Sequence, residues 1–96
     1  MNLGRNVTII GGSGGMGRVF GKYFKERNFV VKIHARNEQR LKIVAEELNI
    51  NYEISLEKSV RDADIVMISI PINSTAVMIR KIGPYLKKNS IIFDIT

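Results

Sequence analysis

The run G-G-S-G-G-M-G at positions 11–17 follows directly on the apolar stretch V-T-I-I and contains G-x-G-x-x-G at Gly12, Gly14 and Gly17. The chemistry this spacing suits is the holding of a diphosphate by main-chain amides. Gly12 lets the chain turn sharply off a strand. Gly14 lets backbone approach a pyrophosphate with no Cβ in the way, and Gly17 lets the next helix pack closely on a sheet. The first amides of that helix lack intrahelical partners and sit at the positive end of its dipole, so an anion answers both needs.

Such a loop works only if a strand enters it and a helix leaves it. Residues 6–10 read as the strand. Met16, Val19, Phe20, Tyr23 and Phe24 then recur at helical spacing and predict an amphipathic helix ending at Asn28, with this stripe as its core face. A second strand follows at 29–35. Asn37 is suited to cap the next helix, whose inward residues are Leu41, Val44, Ala45 and Leu48, with Asn49 closing it. A short third strand at 51–54, one or two helical turns bearing Leu56 and Val60, and a fourth strand at 64–70 come next. Pro71 stops that strand. A helix over 74–85 has Thr75, Met78, Ile79, Ile82 and Leu86 inward, and a fifth strand spans 90–95. The alternation predicts an α/β domain covering residues 1–96: a Rossmann-type doubly wound parallel sheet, order 3-2-1-4-5, with helices on both faces. Ligands of such sheets bind outside the carboxyl ends of the first and fourth strands. Those ends carry the glycine loop and Ser69-Ile70-Pro71, which therefore converge on one crevice.

The end of the second strand selects the dinucleotide. An acid about 20 positions beyond the glycines would accept hydrogen bonds from the adenosine ribose of NAD. Here Ala35 stands in that place, followed by Arg36 and Asn37, with Arg40 one turn on. A small neutral residue leaves room for a 2′-phosphate, and a guanidinium can clamp it through two parallel N–H bonds. The cofactor expected is NADP, with NAD second.

With 96 residues the chain forms one core. It has no cysteine, so thiol chemistry and disulfides are excluded. No apolar run reaches the roughly 18–20 residues of a membrane span, and the start M-N-L-G-R-N carries no secretory pattern, which makes the cytoplasm the expected location. The net charge of +6 is spread over helices with Glu between the cations, and it lacks the aromatic interleaving of a nucleic-acid surface. Part of it is expected to steer anionic ligands. Asp62 and Asp64 are expected to cap a turn and bind no metal.

Three segments, I-I-G-G-S-G-G-M-G-R-V-F, D-I-V-M-I-S-I-P-I-N-S-T and I-I-F-D-I-T, together resemble the nucleotide-binding domain of arogenate/prephenate dehydrogenases, archaeal members in particular. The resemblance implies oxidative decarboxylation of prephenate, or a close relative, by hydride transfer to a nicotinamide, within tyrosine biosynthesis. By position it implies that Ser13, Gly14, Gly15 and Met16 line the pyrophosphate. Ser69, Ile70 and Pro71 would flank the nicotinamide-side ribose, and Ser74 or Thr75 would lie at the crevice mouth. It also implies that the catalytic histidine, the prephenate-binding basic residues and the dimer interface belong to a helical domain beyond Thr96. No catalytic residue is then expected on this stretch, His34 is a structural or adenosine-side residue, and the full-length protein is expected to be a homodimer. The same fingerprint suits β-hydroxyacid dehydrogenases, pyrroline-carboxylate reductases and deazaflavin-dependent NADP reductases. A nucleotide-sensing regulatory module is the non-enzymatic alternative, against which Arg36 counts, because such modules usually keep an acid after the second strand.

Overall fold

The computed structural model describes residues 5–95; residues 1–4, part of the N-terminus read as free of a secretory signal, and Thr96 lie outside them. Strands and helices alternate as β1 (Asn6–Ile10), α1 (Gly15–Glu26), β2 (Val30–His34), α2 (Glu38–Leu48), β3 (Asn51–Tyr52), α3 (Leu56–Arg61), β4 (Ile65–Ile68), α4 (Ile72–Ile82) and β5 (Ile91–Asp94). All strands pair in parallel, in the order β3-β2-β1-β4-β5. This is the topology expected from the alternation, and it puts the winding reversal between β1 and β4.

Successive residues of a strand point to opposite faces. On one face Val7, Ile9, Val31, Ile33 and Met67 pack with Phe24 of α1 and with Leu41, Val44 and Ala45 of α2. On the other, Ile10, Val66 and Ile68 pack with Val60, Ala63 and Ile82 beneath α3 and α4. Each such side chain contributes about 1.5–3 kcal/mol on leaving water. Helix ends follow their local chemistry. Asn37 accepts a hydrogen bond from the Arg40 amide at 3.1 Å, and Ser55 does the same for Lys58 at 3.3 Å. Asn28 and Asn49 take left-handed φ values of 67° and 55° after α1 and α2, a conformation asparagine tolerates because its side chain can bond locally.

The inward face of α1 departs from the expected stripe. Met16, Val19 and Tyr23 are 53%, 59% and 44% exposed, while Gly17, Gly21 and Phe24 are buried. The two glycines bring the helix axis close to the sheet, so the contact line runs through residues with no side chain, which a hydrophobic pattern does not register. The Arg18–Glu47 ion pair and the bond from Lys25 Nζ to the Asn49 carbonyl place α2 along one flank of α1. Met16 and Tyr23 lie on the opposite flank, with Arg27 stacked over the Tyr23 ring at 3.8 Å. That flank adjoins β4 and β5, where no helix of the described residues lies on this face. Ile91 and Phe93 of the edge strand stay half exposed there.

Other boundaries shift modestly. The helix expected over 74–85 begins at Ile72, because Pro71 with φ −54° already provides a helix entry and its carbonyl accepts from the Ser74 amide. It gives way after Ile82 to a 3₁₀ turn, Gly83–Tyr85, since Pro84 has no amide to continue the ladder. Ile79, expected inward, is 40% exposed, while Thr75 and Ile82 are buried as expected and Met78 and Leu86 pack against the core of that face. β2, β3, β4 and β5 are each shorter than the apolar runs that announce them. Asp64 receives the Asn6 amide at 2.7 Å and pairs with Lys87 at 2.5 Å, while the Asp62 carbonyl accepts from the Asn6 side chain at 3.2 Å. Both aspartates thus fasten the turn before β4, and no cluster of metal-ligating side chains occurs among the described residues.

Candidate nucleotide-binding site

The loop after β1 is held by main chain from both neighbouring strands. The His34 carbonyl at the end of β2 accepts from the Gly11 amide at 2.7 Å and the Gly12 amide at 3.1 Å, and the Ser69 amide donates to the Ile10 carbonyl at 2.8 Å. Gly11 carries the turn: its φ is +88°, and a Cβ there would stand 2.2 Å from the Ser69 carbonyl oxygen. The sharp turn expected at Gly12 is therefore one residue earlier. Gly12 is needed for a different reason, since a Cβ on it would meet the Ile33 side chain at 2.5 Å. Gly17 lets α1 rest on the loop, where a Cβ would approach Gly12 Cα to 2.6 Å.

Gly14 and Gly15 face open space, with no heavy atom closer than 3.7 Å to a Cβ on Gly14 and none within 4 Å of one on Gly15. Gly14 is the N-cap of α1 and offers no side-chain bond, and the first turn holds no acidic residue. The amides that open α1 are left to an outside acceptor, which is the arrangement a diphosphate requires.

Two clefts flank this loop. The first, about 370 Å³, lies between the ends of β1, β2 and β4 and the side of α4. It brings together Ala35, Arg36, Ile70, Pro71 and Ser74 from the sequence-derived set with Gly11, His34, Val77, Met78 and Lys81. The second, about 280 Å³, lies between α1 and α2 and is lined by Ser13, Gly15, Arg18, Arg40, Ile43 and Val44. Neither lining contains a carboxylate. Arg18 is paired with Glu47 at 3.0 Å. Arg36 and Arg40 form no ion pair among the described residues, so each keeps its full positive field for a ligand.

This placement rearranges the expected site. Arg36 and Arg40 do not share a pocket but stand on either side of the glycine ridge. Ile70 and Pro71, expected on the nicotinamide side, line the same cleft as Arg36, with α4 starting at once after Pro71. Asn37 serves as the α2 cap. Met16 and Ser69 line neither cleft: Met16 projects from the exposed flank of α1, and the Ser69 amide is taken by β1. The His34 ring donates through Nδ1 to the Glu53 carbonyl at 2.9 Å and is buried.

Gly11, Val77, Met78 and Lys81 are among the positions that shape or line the clefts without having been read as site residues from the sequence. Gly11 stands just ahead of the fingerprint, and only its positive φ reveals it. Val77, Met78 and Lys81 follow Ser74 at i+3, i+4 and i+7, a helix stripe that signals one shared face but not which surface it meets.

Residues 20–96 match the family model for the prephenate dehydrogenase nucleotide-binding domain. A probable arogenate/prephenate dehydrogenase of Methanocaldococcus jannaschii is 30% identical over 95 residues, 99% of this chain and 21% of that protein. The chain thus spans about a fifth of that relative's length. Synechocystis arogenate dehydrogenase superposes with a TM-score of 0.87 at 17% identity, over 95% of this chain and 32% of that one. Prephenate dehydrogenase from A. aeolicus, solved with hydroxyphenyl propionate and NAD+, gives 0.81 at 21% identity, over 98% and 34%. At these identities the solved structures attest the fold, and the sequence matches attest the descent. The chain belongs to the prephenate dehydrogenase family and is its nucleotide-binding domain.

Proposed function

We propose that this domain binds NADP in preference to NAD, as the cofactor half of a dehydrogenase acting on prephenate or a close relative. In that protein the cofactor, when bound, would supply a hydride acceptor for the oxidative decarboxylation. This chain's residues bind and orient the cofactor. The adenosine lies in the first cleft, against Ala35 and the apolar Ile70, Val77 and Met78. The diphosphate crosses the open backbone of Gly14 and Gly15 and the amides that begin α1. Arg36 and Arg40 approach the ribose 2′-phosphate from the two sides of the ridge, with the Ser13 hydroxyl beside Arg40. One observation carries this reading: two unpaired guanidinium groups flank a strand end at which Ala35 replaces the usual acid. The residues that transfer the proton and hold the substrate belong, in this proposal, to a helical domain outside residues 1–96. The domain alone binds cofactor without turnover, and the full-length protein is a cytoplasmic homodimer.

The test is calorimetric titration of Arg36→Ala with both dinucleotides. A charge-assisted bond contributes roughly 1.5–3 kcal/mol, so NADP affinity falls about ten-fold to a hundred-fold while NAD affinity changes little. Equal losses for the two cofactors refute the assignment.

A further inference from the structure

We infer that His34 reads the adenine base, accepting a hydrogen bond from its exocyclic 6-amino group through Nε2; this rests on the nucleotide-binding reading above.

The argument begins with the other ring nitrogen. Nδ1 lies 2.9 Å from the main-chain carbonyl of Glu53. A carbonyl oxygen only accepts, so Nδ1 carries the proton, and in the neutral ring Nε2 presents a lone pair. Glu53 is itself held: its amide donates to the Ile33 carbonyl at 3.0 Å and its carboxylate accepts from the Ser55 amide at 2.9 Å. The tautomer is therefore set by a fixed main-chain group.

Nε2 has no partner among the described residues. The sealed polar side-chain atom without a partner there is the Thr75 hydroxyl, not this nitrogen, so Nε2 keeps access to solvent, and His34 is one of the residues lining the first cleft. His34 pairs in register with Ile10. Its ring thus lies on the sheet face that α4 covers, the side on which the first cleft opens. It is 8% exposed and belongs to the lining of that cleft.

The surroundings decide what it meets. Ile10, Ile70, Val77 and Met78 form apolar walls suited to a planar aromatic ring. The cations of the lining, Arg36 and Lys81, only donate. The Nε2 acceptor, with these two cationic donors in the same lining, complements adenine, whose 6-amino group donates while N1 and N7 accept. Hypoxanthine puts an acceptor oxygen at position 6, where it would face the Nε2 lone pair. The histidine thereby selects a 6-aminopurine, and the selection is independent of the 2′-phosphate.

Ring ¹⁵N NMR of the intact chain tests the tautomer directly. The Nδ1–H form is expected in the free protein, with the Nε2 resonance moving on addition of NADP and far less with its hypoxanthine counterpart. Calorimetry then compares the two dinucleotides on wild type, His34→Leu and His34→Gln. Each variant keeps the main-chain carbonyl that holds the glycine loop. Wild type should favour NADP over the hypoxanthine form by about ten-fold, His34→Leu should bring that ratio near one, and His34→Gln should restore part of it through its side-chain carbonyl. An Nε2–H tautomer overturns the inference. So does an Nε2 signal that ignores NADP while the Ser13 and Gly15 amides respond, a result that leaves the cofactor reading intact. If those amides too are unmoved by NADP, both readings fall.

Discussion

The carbonyl oxygen of His34 lies 2.7 Å from the amide of Gly11, and the same oxygen takes the Gly12 amide at 3.1 Å. One main-chain acceptor at the end of β2 thus anchors the start of the glycine loop, whatever side chain position 34 bears. Beyond this anchor the glycines divide into those with no room for a Cβ and those, Gly14 and Gly15, that the proposed diphosphate would need.

Gly11→Ala should separate the two groups. It forces a Cβ onto a residue at φ +88° and into the Ser69 carbonyl, so a loss of about 2–4 kcal/mol in urea denaturation is expected. Gly14→Ala meets only open space. It should leave stability within about 0.5 kcal/mol of wild type and weaken NADP binding at least about ten-fold, since a methyl group then stands where the diphosphate passes.

The exposed flank of α1 gives a second contrast. Val19→Gln is expected to change stability by less than about 0.5 kcal/mol, whereas Phe24→Ala should cost about 3–5 kcal/mol. Comparable losses at both positions would contradict the burial of α1 through Gly17, Gly21 and Phe24.

Asp64 supplies the pH dependence. Its hydrogen bond from Lys87, and then that from the Asn6 amide, hold its carboxyl below the ordinary value, against a smaller opposing effect of burial. A carboxyl lowered in the folded state stabilises fully above its unfolded pKa, near 3.9, and the contribution vanishes as pH falls through the lowered folded value. Asp64→Asn should therefore cost roughly 1 kcal/mol at pH 7, a modest figure because solvent screens the partly exposed pair. The two proteins should converge in chemical denaturation as the medium becomes strongly acidic. A constant gap down to the lowest pH would contradict the linkage.

Thr75 is the residue to change for stability. Its hydroxyl is sealed from solvent without a hydrogen-bond partner among the described residues. Thr75→Val keeps the shape and removes the unmet group, so a gain of up to about 1 kcal/mol is expected in thermal melting. NADP affinity should stay within about two-fold, because Thr75 lines neither cleft.

Much of this architecture was legible from local patterns. Strand order followed from alternation and crossover handedness, and Asn37, Asn28 and Asn49 marked helix ends by chemistry that acts within a turn. The reading failed where contact is made without a side chain. Gly17 and Gly21 carry α1 onto the sheet, and a periodicity built from apolar residues pointed to Met16, Val19 and Tyr23 instead. Gly11 escaped because the spacing rule begins at Gly12, while the torsional demand comes from Ser69, 58 positions away in the chain. The site was legible as a set of residues but not as two clefts. Which helix side meets which strand end depends on how the elements pack, and that is not a property of local sequence.

The oxygen of Ser69 occupies the volume a side chain on Gly11 would need. Loop and helix entry are consequently meshed like two gear teeth with no play between them. Any side chain added on the glycine side would have to push the β4 end aside, so the spacing between the two is fixed by the absence of a single methyl group.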